Sequence, residues 1–421
     1  MIRTDPVPSS RASRATRGTR IGLALAGGGP LGGIYEVGAL LALADSIEGL
    51  HLDALPVYIG VSSGSFVAAG LANGISPTQM YRIFIDDGDE AFLKPDLFLR
   101  PALREYRQRL LSLPALGWRA AIEYLRSPLR RRVLESFAIL SRAVPTGIFD
   151  NGAIDAFLAR LFSTQNRTND FRKLHSRLFV VATQLDTGVP IAFGAPGHDH
   201  VPISLAVEAS SALPGLFPPV EIEGEYYVDG ALNKTLHASL ALEAGTDLLL
   251  CINPLVPFDA SDAPGRARLS VDTLHQGGLP VVLSQTFRAI IHSRMRVGME
   301  KYERQYPHAD ILLFEPDRRD ADIFFANPFS YADRAGMCAI AFNATRNRLR
   351  SGASRMGHLL AEHGLELRVD RLHDRTRDIE DALNDPRPVR THHANASTVR
   401  QATRDLERTL QHLERGLAAM R

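Results

Sequence analysis

A chain of 421 residues, 45% hydrophobic and 23% charged, has the makeup of a soluble globular protein with room for one large domain or two ordinary ones. Its formal net charge of +1 provides no overall attraction to nucleic acid. Two cysteines, Cys251 and Cys338, are too few for a disulfide framework or a four-ligand zinc site, and their apolar neighbours suit reduced, buried thiols in a cytosolic protein.

Residues 1–20 carry five arginines and one aspartate and lack the apolar core of a secretory signal, so they read as a disordered basic tail. Residues 21–26 are a buried strand that runs into Gly27-Gly28-Gly29-Pro30-Leu31-Gly32-Gly33, and a helical pattern with Tyr35, Val37, Leu40, Leu41 and Leu43 follows. Residues 55–59 form a second short strand and 66–72 a buried helix, with Gly60-Val61-Ser62-Ser63-Gly64 between them. Residues 92–143 are helical, apolar and basic: eleven Lys or Arg against four acids, a net of +7, with Phe92, Phe98, Leu110, Leu111, Leu116 and Trp118 among them. Such a segment suits an anionic membrane surface or a cap over a site, against the plainer reading of a solvated basic face.

Further strands are read at 177–183, 191–194, 226–229 and 248–252, with helical stretches between most of them. Strands alternating with helices predict an α/β three-layer sandwich around a mainly parallel sheet. After about 260 the pattern is mostly helical, at 281–302, 331–350 and 355–363. Residues 373–398 read as a loose linker. Beyond it Val399, Ala402, Leu406, Leu410, Leu413, Leu417 and Met420 mark an amphipathic helix that packs on its own chain or, less simply, pairs two chains. No run approaches the roughly 20 apolar residues of a membrane span.

A G-x-S-x-G between a strand and a helix is the nucleophile elbow of serine hydrolases, where small neighbours let the turn tighten and the serine project. Ser62 holds that place; its plainer role is a helix N-cap. The loop Gly27-x-Gly29-x-x-Gly32 fits two readings. As a dinucleotide fingerprint it needs an acid at the end of the second strand, but Asp53 precedes residues 55–59 rather than ending them, and no Gly-Lys-Ser/Thr follows for a P-loop. As an oxyanion hole it offers backbone N–H groups at a helix N-terminus to one small anion, 30 residues before the elbow serine.

The base is less defined. Among fourteen histidines, including His198, His200, His237, His392 and His393, no context stands out, and a Ser-His-Asp triad stays open. Asp229 ends a strand before Gly230-Ala231, where an acid points into the crevice that α/β sheets use for ligands, or merely makes an Asx turn.

Taken together, Gly27-Gly28-Gly29-Pro30-Leu31-Gly32, Gly60-Val61-Ser62-Ser63-Gly64 and Asp229-Gly230-Ala231 resemble the G-G-G-x-[RK]-G, G-x-S-x-G and D-G-[GA] marks of the patatin-like phospholipase family, over about 22–245. The stretch from Glu208 through Ser210, Ser211 and Pro214 to Val220 also looks like the family's helix-and-proline segment. The resemblance implies a Ser-Asp dyad: Ser62 attacks an acyl ester, Asp229 takes its proton and later activates water, Gly27, Gly28 and Gly29 hold the oxyanion, and His237 needs no role. Gly32, Gly60, Gly64 and Gly230 are the remaining motif glycines. Leu31 departs from the pattern, standing where many members carry Arg or Lys, which bears on headgroup preference.

The expected organisation is a basic tail at 1–20, a catalytic domain at 21–255 with the insertion at 92–143, a helical extension at 256–370 packed on it, and a linker plus helix at 371–421. The leading expectation is a phospholipase A or lysophospholipase. A neutral-lipid esterase or acyl thioesterase shares the chemistry, a nucleotide-binding protein would use residues 27–32, and a non-catalytic lipid binder would keep only the scaffold. No metal, calcium or other cofactor is expected, the partner is lipid rather than nucleic acid, and the chain is expected in the cytoplasm, peripheral at a membrane.

Overall fold

The computed structural model describes residues 19–85, 145–259, 274–320 and 334–385, with residues 261, 323 and 324 and scattered positions between 101 and 122. The expectations for the basic tail, most of the 92–143 segment, most of the linker and the C-terminal helix lie outside these described residues. The chain divides at Leu383 into two units, and the second, from Asn384 on, is almost wholly outside them.

Short apolar runs too brief for helices become the strands. Among the described residues, β1 (Ile21–Leu25), β3 (Val57–Val61), β4 (Arg177–Gln184), β8 (Leu248–Ile252) and β9 (Asp310–Phe314) lie parallel in the order β4-β3-β1-β8-β9. Three antiparallel strands complete the sheet on the β4 side: β5 (Pro190–Phe193) and β7 (Glu225–Asp229) pair with β4, and β6 (Val220–Ile222) pairs with β7. Every side chain of β3 and β8 is buried, as expected of parallel strands covered on both faces.

The alternation along each strand separates two apolar layers. Leu23, Leu25, Tyr58, Val180, Leu250 and Ile252 enter a larger cluster with α1 (Gly29–Ser46), α2 (Ser63–Ala72), α3 (Pro77–Phe84), α4 (Gly152–Phe162), α5 (Ile203–Ser210) and α8 (Arg334–Ser351). Ala24, Ala26, Ile59, Val61, Val181 and Cys251 enter a second cluster with α6 (Ser239–Glu243) and α7 (Gly278–Gln305). The result is a sheet between two helical layers, the α/β sandwich that the sequence pattern predicts. Helix α1 meets α8 with little between the backbones: a Cβ on Gly38 would stand 2.3 Å from the Cys338 carbonyl oxygen.

The structure adds elements that sequence reading did not name. The apolar run of β9 sits inside the stretch read as mostly helical, and it extends the central sheet past residue 255. A two-stranded ribbon joins β2 (Ile47–Glu48) to β10 (Glu366–Leu367). Beyond α9 (Ala353–Glu362) and α10 (Val369–His373), the start of the stretch read as a loose linker is ordered. There α11 (Ile379–Asn384) forms, and Arg377 is paired with the buried carboxylate of Asp45 at 2.6 Å.

Candidate active site

The site is set by the register of β4. Val181 partners Val61 on β3, and the next residue, Ala182, partners Asp229 on β7. Because β5 pairs with both Val181 and Ala182 along the other edge of β4, β3 and β7 share one edge and their C-terminal ends converge. Asp229 therefore reaches the crevice on an antiparallel strand that enters from outside the parallel sheet.

Between β3 and α2 the chain reverses at Ser62, a non-glycine residue with φ 52° and ψ −127°. Such a conformation costs on the order of 1–3 kcal/mol and persists only where the surroundings impose it. Crowding around the turn explains the flanking small residues. A Cβ on Gly60 would lie 2.4 Å from Ser65 Cα, and one on Gly64 would lie 2.6 Å from the Ala26 carbonyl oxygen. The Ser62 N–H donates to Ser210 Oγ at 2.9 Å, and that hydroxyl donates to the Val181 carbonyl at 2.6 Å.

The Ser62 hydroxyl acts on the carboxyl of Asp229, which is only 2% exposed, favouring its ionised form. Asp229 Oδ1 also accepts the Ala231 N–H at 2.8 Å across the turn at Gly230. Burial raises the Asp229 pKa to about 6, against the lowering effect of those two groups.

The glycine loop lies against the same serine. A Cβ on Gly27 would be 2.9 Å from Ser62 Cβ and 3.6 Å from its Oγ. Helix α1 then starts at Gly29, with Gly28 in the cap position and no side-chain cap, so no side chain competes for its first N–H groups. Gly32, in the first turn, faces Pro254 and Ser63. Leu31 is partly buried against the larger apolar cluster. Asp53 lies in the turn before β3, at the opposite end of that strand from Ser62.

His237 is buried and has φ 44°. Burial, helped by the nearby Lys234 charge, pushes its pKa down to about 4, while a hydrogen bond to the Gly230 backbone opposes the shift. Its Nε2 is buried and has no hydrogen-bond partner among the described residues. Ser210 is the residue that motif reading passed over; it stood only as one position in the helix-and-proline segment. Among the described residues, no three His, Cys, Asp or Glu side chains are grouped to hold a metal.

A family model for patatin-like phospholipases matches residues 23–242, which span both the glycine loop and the Ser62–Asp229 pair. The chain belongs to the patatin-like phospholipase family. As a patatin-like phospholipase it is a lipid acyl hydrolase, acting on carboxylic esters. Solved structures that this chain matches include VipD from Legionella pneumophila, 15% identical with a TM-score of 0.32, the match covering 76% of this chain and 67% of that one. Full-length ExoU in complex with SpcU, from the type III secretion system of Pseudomonas aeruginosa, is 16% identical with a TM-score of 0.26, over 82% of this chain and 80% of that one. Both are too distant to carry structural detail across to this patatin-like chain, in which no described helix is long and apolar enough to cross a membrane.

Proposed function

We propose that this enzyme releases fatty acid from glycerophospholipid through a Ser62-Asp229 dyad. What supports the reading is the β4 register that brings the ends of β3 and β7, and so Ser62 and Asp229, together, with the Asp229 carboxyl buried and its pKa raised to about 6. A free aspartate is a poor base; one moved toward neutrality is better matched to taking a serine proton.

In the proposed reaction Ser62 Oγ attacks the acyl carbonyl carbon as its proton passes to Asp229. The carbonyl oxygen becomes an oxyanion facing N–H groups of Gly27, Gly28 and Gly29 at the start of α1, where the helix dipole adds to the attraction. Collapse of the tetrahedral intermediate breaks the ester bond, and Asp229 returns the proton to the departing alcohol. Water then attacks the acyl-serine with Asp229 again taking a proton; the bond between Ser62 Oγ and the acyl carbon breaks, Asp229 returns the proton to Oγ, and the fatty acid leaves. His237, with its pKa pushed down to about 4 and its hydrogen bond made to the Gly230 backbone, has no part in this sequence. The packing of Gly27 against Ser62 supports an oxyanion role for the loop over a nucleotide role, as does the position of Asp53 at the far end of β3.

A neutral glyceride, wax ester or acyl thioester is the second reading. It is favoured by Leu31, which leans on the apolar core where many members of the family carry a cation. The basic 92–143 segment is proposed as a lipid contact; of its described residues, Leu103, Leu111 and Trp118 are each about 70% exposed. The test is fatty-acid release from phospholipid, glyceride and p-nitrophenyl esters by Ser62→Ala, Asp229→Asn and His237→Asn. The first two lose at least about a thousandfold in kcat, as nucleophile and base removals do elsewhere, and the third stays within a few-fold of the parent. Loss in His237→Asn equal to that in Asp229→Asn would sink the dyad in favour of a triad.

A further inference from the structure

Helix α7 reverses the ordinary amphipathic arrangement, in which a surface helix turns its polar side to water. Met295, Met299 and Tyr302 face the sheet and complete its second apolar layer. On the other side Leu279, Val282, Leu283, Phe287, Ile290 and Val297 are 70, 41, 44, 52, 50 and 65% exposed. At 3.6 residues per turn these six side chains fall within an arc of roughly 140°, centred opposite the buried three. An exposed apolar stripe of this length, broken only by Thr286, Ser293 and Arg294 within its arc, marks an interaction surface.

The charges on α7 identify the partner. Over its whole length, Gly278–Gln305, the helix carries Arg288, Arg294, Arg296, Lys301 and Arg304 against Glu300 and Glu303, five cations to two acids. Arg288 is turned inward: it donates to the Val256 carbonyl and stacks over the Phe324 ring. Arg296 is exposed beside the stripe, and Arg294, exposed within its arc, has one guanidinium nitrogen bonded to the Leu232 carbonyl. Two copies of this face laid together would bring that excess of positive charge into contact, with Glu300 and Glu303 too few to balance it. An anionic lipid surface offers both an apolar layer for the stripe and phosphates for the arginines.

The location fits the same partner. The inner side of α7 lies near the turn that carries Asp229: Met295 and Met299 share a buried cluster with Ala231 and Val61, and the long Arg294 side chain reaches back to donate from Nη1 to the Leu232 carbonyl at 3.2 Å. We propose that the outer face of α7 is an interfacial docking surface for anionic phospholipid bilayers or micelles. This inference rests on the lipid-hydrolase reading above. With α7 lying in the interface, the thickness of the helix, roughly 10–12 Å, sets the scale of the separation between the lipid layer and the turn that carries Asp229. An acyl ester then needs only a short excursion from the lipid layer to reach Ser62, and the apolar stripe stays covered throughout.

The test uses the full chain carrying Ser62→Ala, so that the vesicles stay intact, and compares it with the same chain bearing Leu283→Ser, Phe287→Ser and Ile290→Ser. Co-sedimentation with phosphatidylcholine vesicles and with vesicles containing phosphatidylglycerol reads partition directly. The expected result is preferential binding to the anionic vesicles and at least a tenfold loss of partition in the triple variant. In the active-serine background the triple variant should lose vesicle-lipid turnover in step, while hydrolysis of a monomeric short-chain p-nitrophenyl ester stays within twofold. Phe287→Ser alone, with an unchanged melting temperature, should show part of the same loss. Unchanged partition in the triple variant, or in Phe287→Ser, overturns the docking surface. Unchanged partition accompanied by a shift from dimer to monomer on sedimentation velocity overturns it in favour of a second copy on this face. Vesicle partition is read without turnover, so an enzyme inert on every ester would refute the proposed function while leaving the docking result standing.

Discussion

The Ser210 hydroxyl accepts the backbone N–H of Ser62 at 2.9 Å across 148 residues of sequence, and it donates at 2.6 Å to the carbonyl of Val181, the β4 partner of Val61. One side chain thus ties the strained elbow to the strand that also aligns Asp229. Ser210→Ala leaves the buried Ser62 N–H without its acceptor, a cost of about 1–3 kcal/mol, and lets the φ 52° turn relax. The expected outcome is a tenfold to hundredfold fall in kcat with KM little changed, and recovery in Ser210→Thr, which restores the hydroxyl. Steady-state kinetics on a soluble ester read both parameters, and an unchanged kcat in Ser210→Ala would remove Ser210 from the positioning of the nucleophile.

The raised pKa of Asp229 sets two pH dependences. As a base it must be ionised, so kcat/KM should rise through a single ionisation near pH 6 and level off above it. Stability runs the other way. With a pKa of about 6 in the fold and 3.8 as the reference, the native state holds more protons between those values, so stability falls as pH rises through that window. Above it the buried carboxylate costs about 3 kcal/mol, from roughly 1.4 kcal/mol per unit of pKa. Asp229→Asn should therefore be inactive yet melt higher than the parent at pH 8, with the difference shrinking toward pH 4. Calorimetry at the two pH values checks the sign, and equal gains at both would show that ionisation is not the cause.

These two residues also show what can be read from the chain alone. Ser62, Gly60, Gly64 and Asp229 are legible because a tight strand-to-helix turn and a strand-end turn restrict residue types locally, within five positions. Ser210 is not, because its role exists only when the end of α5 is folded over the end of β3. The central strands, fully buried, announce themselves as apolar runs, and so does the sandwich. Strand β9 was hidden because four apolar residues, Ile311 to Phe314, between helical stretches could extend either neighbour, and only pairing with β8 decides it. The antiparallel direction of β7 was hidden for the same reason, since direction belongs to pairing and leaves no mark on the strand's own residues.

The glycine loop can be dissected by two substitutions of the same size. At Gly27 a Cβ would meet Ser62 Cβ at 2.9 Å and Ala231 Cβ at 3.1 Å, so Gly27→Ala must displace the serine or the turn holding Asp229. At Gly29 a Cβ meets nothing within 4 Å, and only its φ of 63° carries a penalty, about 1–2 kcal/mol for a non-glycine residue. Gly27→Ala should lose at least a hundredfold in kcat, whereas Gly29→Ala should lose a little stability and less than tenfold in kcat. Circular dichroism melts paired with ester kinetics separate the two effects. Equal kinetic losses would mean that the loop acts through its overall flexibility rather than through its contact with Ser62.

The buried carboxylate of Asp45 fixes the C-terminal elements onto α1. Its side chain is 1% exposed and bonds Arg377 at 2.6 Å and Arg371 at 2.8 Å. Burial alone would raise its pKa, but the two guanidinium groups more than offset that and hold it below the ordinary carboxylate value. A folded pKa below the unfolded one means that the stabilisation is present above about pH 4 and is lost as pH falls through the folded value. Removing one partner of a buried pair leaves the other charge uncompensated, at about 3–5 kcal/mol. Because both arginines keep some access to solvent, the lower end of that range applies to Asp45→Ala. Urea denaturation at pH 7 should show that loss, and it should narrow progressively as the pH is taken below 4. Arg377→Gln should cost less than Asp45→Ala, since Arg371 still answers the carboxylate. If the two variants were equally destabilised, Arg371 would contribute nothing, and the segment from α10 to α11 would be held at Arg377 alone.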